Sequence, residues 1–189
     1  LARRGAKPYS HDTEPAPKQR MRLGYLSADF RDHAIGHLIA GLFAHHDRAG
    51  FEVIAYSHGD NDGSSFRQRI VDTVDRFVDL SDLSDEESAQ QIHEDDVDIL
   101  IDLSGQIRGN RLEIMALRPA PIQVAYIGFP GSNGASFIDY VFTDRTVSPP
   151  DHLDHYSEAP AYLPHCYLIT DDNQPISNAP VSRAGQGLP

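Results

Sequence analysis

The sequence predicts a Rossmann-like α/β fold, a predominantly parallel sheet with helices on both faces, and three observations predict it. Between Met21 and Ile169, short apolar strand-like runs alternate with helical segments, the pattern of right-handed crossovers between parallel strands. Two of the runs, "VDILIDLSG" and "IQVAYIGFPG", are apolar almost without interruption, as strands covered on both faces must be. The unusual residues cluster just past the carboxyl ends of strands, where doubly wound sheets bind their ligands.

The elements follow in order. Residues 1–20 are polar, rich in proline and charge, and without period, and read as a tail or linker. "MRLGYLSADF" is the first strand. In "AIGHLIAGLFAHHDRAG", Ile35, Leu38, Ile39, Leu42 and Phe43 recur at helical spacing, His45 and His46 suit the end of a helix, and Gly50 stops it. "FEVIAYSHG" is the second strand. "SSFRQRIVDTVDRF" sets Phe66, Ile70, Val74 and Phe77 on one helical face, and the short strand "FVDLS" follows. "SDEESAQQIHEDD" is an acidic helix opened by Ser84, with Glu87 three residues on as a capping box. "VDILIDLSG" is the fourth strand, "RLEIMALRP" a short helix, "IQVAYIGFPG" the fifth strand, "DYVFTD" the sixth and "AYLPHCYLI" a weaker seventh, in which Cys166 reads as a small buried hydrophobe. The fourth and fifth strands are expected at the centre, with Ile99, Leu100, Ile101, Val124 and Tyr126 in them. One domain thus spans residues 21–170, and the polar stretch 171–189 is expected to be a linker.

Composition narrows the function classes. A formal charge of −12 and a pI near 5.1 argue against nucleic-acid or anionic-membrane partners, which require a basic face. A single cysteine, Cys166, permits no internal disulfide and fits a reducing compartment. No apolar run approaches the ~20 residues of a membrane span, and the first 20 residues lack a signal-peptide core, so a cytoplasmic protein is expected.

Four loops are selected by the strand-end rule. "SADFRDHAIGHL" places Asp29, His33 and His37 at successive four-residue steps where the first helix begins. A zinc site there is chemically reasonable, but an H-x-x-x-H pair without an internal glutamate is a weak motif and no metal is expected. The plain alternative has Asp32 capping the helix and His37 lying against the sheet. The favoured one is a polar ligand site in which Asp29 orients or deprotonates a group and His33 donates a hydrogen bond near a phosphate or sugar. "SHGDNDGSS" reads as a solvated loop capped by Ser64. "SGQIRGN" carries Arg108, a cation able to meet a phosphate or simply a surface arginine. "GFPGSNG" offers peptide N–H groups at close approach, yet neither it nor the first loop matches the G-x-G-x-x-G fingerprint, which disfavours a nicotinamide-dependent oxidoreductase.

The order of these motifs resembles a known family. "RLGYLSADFRDHAIGHL", "FEVIAYSHGDNDGSSFRQRI", "DILIDLSGQIRGNR", "ALRPAPIQVAYIGFPGSNGASFIDYVFTD" and "YSEAPAYLPHCY" are similar to the catalytic region of protein O-GlcNAc transferases, which form one glycosyltransferase family with the Spindly-type enzymes and bacterial tetratricopeptide-repeat homologues. The resemblance runs from about Arg22 to Tyr167. It implies the amino-terminal lobe of a two-lobed GT-B enzyme, with a second lobe and upstream tetratricopeptide repeats outside this chain. It implies an inverting, metal-independent transfer of N-acetylglucosamine from UDP-GlcNAc, a substrate rather than a cofactor, to Ser or Thr hydroxyls of an acceptor protein. By position, Asp29 and His33 correspond to the family's aspartate and histidine beside the donor, and Ala34 and Ile35 to neighbours that touch the sugar. Ile127 and Gly128 match the pair lining the sugar pocket, while His37 and Arg108 are further candidate substrate contacts. This chain has Ala34 where animal members carry a proline, and Gln106 and Arg108 where they carry tyrosine and lysine. A non-catalytic sugar-nucleotide or peptide binding module, or a relative using another donor such as GDP-fucose, are the alternatives.

Overall fold

The computed structural model describes residues 7–11, 18–174, 178 and 181–187. Seven strands form one sheet: β1 (Met21–Ser27), β2 (Phe51–Ser57), β3 (Arg76–Asp79), β4 (Ile99–Asp102), β5 (Ile122–Ala125), β6 (Tyr140–Thr143) and β7 (Ala159–Tyr162). Their order is β3-β2-β1-β4-β5-β6-β7, and every neighbouring pair is parallel. Among the described residues four α-helices connect β1 through β5: α1 (Ala34–Ile39), α2 (Ser65–Thr73), α3 (Asp85–Glu94) and α4 (Leu112–Ala116).

The strands build two cores because their side chains alternate. Leu23, Tyr25, Val53, Ala55, Ile101 and Val124 pack on one face with Ile35 and Ile39 of α1 and Ile70 of α2. Leu26, Ile54, Tyr56, Leu100 and Ala125 pack on the other with Ala89 and Ile92 of α3 and Ile114 and Met115 of α4. A strand covered on both faces leaves little room for polar side chains, which is why β4 and β5 read as apolar runs broken only by the buried Asp102 and Gln123. The predicted central residues Ile99, Leu100, Ile101 and Val124 lie in β4 and β5, and Tyr126 follows the last residue of β5.

The order matters for function. The chain winds from β1 to β3 in one direction and from β4 to β7 in the other, so the loops leaving β1 and β4 diverge side by side. Such a switch point opens a crevice at the carboxyl ends of the strands.

Several local expectations are corrected. The first helix is not continuous to Gly50: α1 stops at Ile39, and Leu42–His45 form a 3-10 turn that seats Phe43 in the core. The second helix ends at Thr73, because Phe77 belongs to β3. The seventh strand starts earlier and ends at Tyr162, so Cys166 lies beyond it and is exposed, not buried. The capping box of α3 forms as expected, Ser84 Oγ accepting from Glu87 N at 3.2 Å and Glu87 Oε2 accepting from Ser84 N at 2.8 Å.

Two stretches expected to be tails make contacts. Tyr9 stacks on His93 of α3 at 4.1 Å and donates its N–H to Leu117 O, and His11 Nε2 lies 2.8 Å from Arg118 O. Asp171, buried, pairs with Arg69 of α2. Among the described residues no helix is long and apolar enough to cross a membrane.

Candidate functional site at the β1/β4 switch point

The turn leaving β1 is built by its own short polar side chains. Ser27 Oγ accepts from the N–H of Asp29 at 2.9 Å, which turns the carboxylate inward until Asp29 is only 4% exposed. Its Oδ1 accepts from Arg31 Nε and Nη2 at 3.2 and 3.0 Å. Its Oδ2 lies 3.5 Å from His33 Nδ1. The plain alternative fails at the cap of α1: His33, not Asp32, occupies the N-cap, with extended backbone, and its Nδ1 accepts from Ile35 N at 3.2 Å. An imidazole that accepts through Nδ1 carries its proton on Nε2, so neutral His33 is a hydrogen-bond donor on its other edge. Its side chain is 37% exposed, open to a ligand.

Ala34 and Ile35 follow as the first turn of α1, Ala34 exposed and Ile35 buried. His37 does not join Asp29 and His33, nor does it lie against the sheet. Its ring stacks on Phe66 of α2 at 3.9 Å, and its Nε2 meets Asp32 Oδ1 at 2.7 Å, with the His37 side chain half-buried and Asp32 exposed. The β2 loop is keyed to this turn through Asp62, which accepts from Asp32 N at 2.7 Å and from Ser64 N at 3.0 Å. Those N–H bonds hold its carboxyl low, at about 2. Among the described residues no three His, Cys, Asp or Glu side chains converge as metal ligands.

The β4 and β5 loops leave the same end of the parallel sheet. Ile127 has φ of +59°, and the Gly128 N–H returns to Tyr126 O at 2.8 Å, a three-residue γ-turn that is strained for a β-branched residue. Gly128 is required here by contact: a Cβ would sit 2.2 Å from Leu103 O and 2.7 Å from Ser104 O of the β4 loop. Gly128→Ala should therefore destabilise the fold by about 2 kcal/mol, the cost of overpacking against backbone. Urea denaturation checks this, and an unchanged midpoint would show that the loops can separate freely. Farther along, Glu158 accepts from Asn133 N and Ser132 Oγ, both at 2.7 Å, pinning the end of the β5 loop. Arg108 lies exposed in the β4 loop, and among the described residues no hydrogen bond or ion pair holds it.

Sequence reasoning missed four side chains. Arg111, in the N-cap position of α4, donates to Asp85 Oδ1 at 2.6 Å, to Leu83 O at 2.8 Å and to Ser88 Oγ at 3.2 Å, locking α3 to the β4 loop. His58, next after β2, has a buried Nε2 without a partner, and burial pushes its pKa down to about 4. Asp102, the last residue of β4, is pushed up to about 6 by burial, even though Gly105 and Ser104 donate their N–H groups to it. Glu158 is the fourth. The only available signal for His58 and Asp102 was their position at strand ends, the rule that singled out Asp29.

Asp29 and His33 therefore sit on the loop that leaves β1, and Ile127 and Gly128 on the loop that leaves β5, the two strands that flank β4 in the parallel sheet. Residues 3–180 match Glycosyl transferase family 41. The chain belongs to that family. It is 41% identical over 198 aligned residues to the probable UDP-N-acetylglucosamine–peptide N-acetylglucosaminyltransferase SEC of Arabidopsis thaliana, covering all of this chain and 20% of that protein. It is 42% identical over 157 residues to the UDP-N-acetylglucosamine–peptide N-acetylglucosaminyltransferase of Caenorhabditis elegans, covering 82% and 14%. A probable transferase of the same description, SPINDLY of Petunia hybrida, is 33% identical over 182 residues, covering 93% and 20%. Among solved structures, a lysine-to-methionine mutant of Thermobaculum terrenum O-GlcNAc transferase superposes with a TM-score of 0.80 at 32% identity, over 87% of this chain and 32% of that one. The family 41 chain thus spans a fifth or less of the length of these curated relatives, and its seven-stranded sheet is a Rossmann-like lobe of the GT-B fold.

Proposed function

We propose that this family 41 lobe is the amino-terminal half of the catalytic region of an inverting, metal-independent transferase. The parent protein moves N-acetylglucosamine from UDP-GlcNAc to Ser or Thr hydroxyls of proteins in the cytoplasm. The observation that carries the reading is the state of His33: with Nδ1 occupied by the Ile35 N–H, its Nε2–H is free to donate to the diphosphate that departs from the sugar. Ala34 and Ile35, at the start of the same helix, and Gly128, at the mouth of β5, flank where the sugar would lie. Asp29 stands behind His33, its Oδ2 3.5 Å from Nδ1, and is itself held by Arg31.

Metal independence is supported by the chemistry of the cluster. Asp29 Oδ1 is taken by Arg31, His33 Nδ1 by backbone, and His37 by Asp32, so this set keeps few free lone pairs for a cation. A second lobe and tetratricopeptide repeats in the parent chain are supported by the 14–20% of each curated relative that this chain covers. GlcNAc is favoured as donor because the SEC, Caenorhabditis elegans and Petunia SPINDLY proteins are all described as UDP-N-acetylglucosamine–peptide N-acetylglucosaminyltransferases.

The test is transfer by the full-length parent protein to acceptor peptides, with UDP-GlcNAc and GDP-fucose offered separately. Turnover with UDP-GlcNAc is expected; turnover with GDP-fucose alone would move the parent to the other donor class. Residues 1–189 by themselves should show no turnover and weak UDP-GlcNAc binding, because only one wall of the cleft is present. Transfer by the isolated chain would overturn the half-enzyme reading.

A further inference from the structure

We propose that Asp102 is a positioning residue for sugar transfer: its carboxylate holds the β4 loop in the one shape on which the β5 sugar-pocket loop can seat. The proposal rests on the donor-cleft reading above. Asp102 is 3% exposed at the end of β4, flanked in register by Leu26 of β1 and Ala125 of β5. Each carboxylate oxygen takes one backbone donor of the following turn, Oδ1 from Ser104 N at 3.1 Å and Oδ2 from Gly105 N at 2.7 Å. These are the bonds that set the turn, and they require both oxygens as acceptors.

What the turn supports is the neighbouring loop. Gly105 is held at φ +61°, where a Cβ would lie 2.7 Å from Phe129 Cβ and 3.3 Å from Asn133 Oδ1, so the β5 loop rests directly on it. Gln106 Nε2 donates to Asn133 O at 2.6 Å. The carbonyls of Leu103 and Ser104 face Gly128 at a distance that admits no side chain. The contact therefore runs from Asp102 through Gly105 and Gln106 to the residues beside Ile127 and Gly128, with no contribution from Asp102 to substrate itself.

The carboxylate is a poor choice if stability were its only purpose. A buried carboxyl is more easily accommodated neutral, and burial already draws Asp102 toward its neutral form. An amide of the same shape avoids that desolvation but presents an NH2 where Gly105 needs an acceptor. Asp102→Asn thus separates the two roles.

The experiment uses the full-length parent protein. Asp102→Asn is expected to lower kcat for UDP-GlcNAc transfer roughly 10–100-fold, the scale of a small misplacement, with a melting temperature at pH 8 equal to or above wild type. Hydrogen exchange should speed up tenfold or more across residues 128–134 as well as 103–106, with α2 and α3 unchanged. Unchanged kcat, a melting temperature that falls together with kcat, or exchange altered only at Ser104 and Gly105 would each overturn the proposal. The exchange readout needs no turnover, so it decides the role of Asp102 even if wild type proves inactive toward UDP-GlcNAc, which would refute the donor reading instead.

Discussion

His33→Ala in the parent enzyme is expected to lower kcat by roughly 10²–10³ while changing the KM for the sugar nucleotide far less, the usual cost of removing one donor aimed at developing charge. The reason lies in timing. A neutral Nε2–H bonds weakly to a diphosphate that is still esterified, and more strongly as negative charge collects on the leaving oxygen. The ring of His33 is also locked in orientation, because its Nδ1 is fixed by the Ile35 N–H and cannot present the other edge without breaking the cap of α1. Losing that cap adds a stability cost of about 1 kcal/mol, and His33→Asn, which can still cap, separates the two effects. Asn at this position should restore the melting temperature without restoring kcat. His37→Ala is the control one turn on. Its partners are exposed Asp32 and the face of Phe66, so its loss should cost about 1 kcal/mol or less and leave turnover near wild type. Steady-state kinetics beside thermal melts decide the matter. Full activity in His33→Ala, with a folded but inactive His37→Ala, would reverse the two assignments.

The parts of this chain that were legible in sequence are those set by near neighbours. Strand alternation, the buried character of β4 and β5 and the Ser84–Glu87 capping box each depend on residues within a few positions of one another, and each formed as expected. The candidate loops were legible for a related reason: a strand's carboxyl end is visible in sequence, and Asp29, His33 and Gly128 follow such ends directly. What was not legible was decided at long range. The first helix has enough apolar residues to continue, but Phe43 reaches the core from a 3-10 turn, beside Tyr25 and Phe30. His37 reads in sequence as a candidate substrate contact, with packing against the sheet as the plain alternative, and neither reading foresees the stacking on Phe66 of α2. Arg111 and Glu158 look like ordinary surface charges until helix α3 and the β5 loop close around them. His58 sits in a loop whose composition is solvated throughout, yet packing covers its Nε2.

That covered imidazole should make stability depend on pH in a way that two single substitutions expose. His58 is pushed from the ordinary 6.5 to about 4, chiefly by burial; Arg111 opposes its cation, while Asp29 and Asp85 favour it. A histidine lowered in the folded state is charged only in the unfolded chain between those values. Its stabilising effect is therefore complete above pH 6.5 and is lost as pH falls toward 4, by about 3 kcal/mol. Asp102 has the opposite sign. Burial raises it from the ordinary 3.8 to about 6, so the folded chain holds the extra proton, and stability from this group increases as pH falls through 6 toward 4, again by about 3 kcal/mol. In the wild-type chain the two slopes nearly cancel over that window. His58→Gln removes the first, and its stability relative to wild type should rise steadily as pH drops from 6.5 to 4.5. Asp102→Asn removes the second, and its stability relative to wild type should fall over the same interval. Urea denaturation of this chain and the two variants at pH 7.5, 6.0, 5.0 and 4.5 measures both differences against a common background of the other titrating groups. Parallel curves for all three proteins would mean that His58 takes a proton in the folded state as readily as in water, and that its Nε2 is not enclosed in solution.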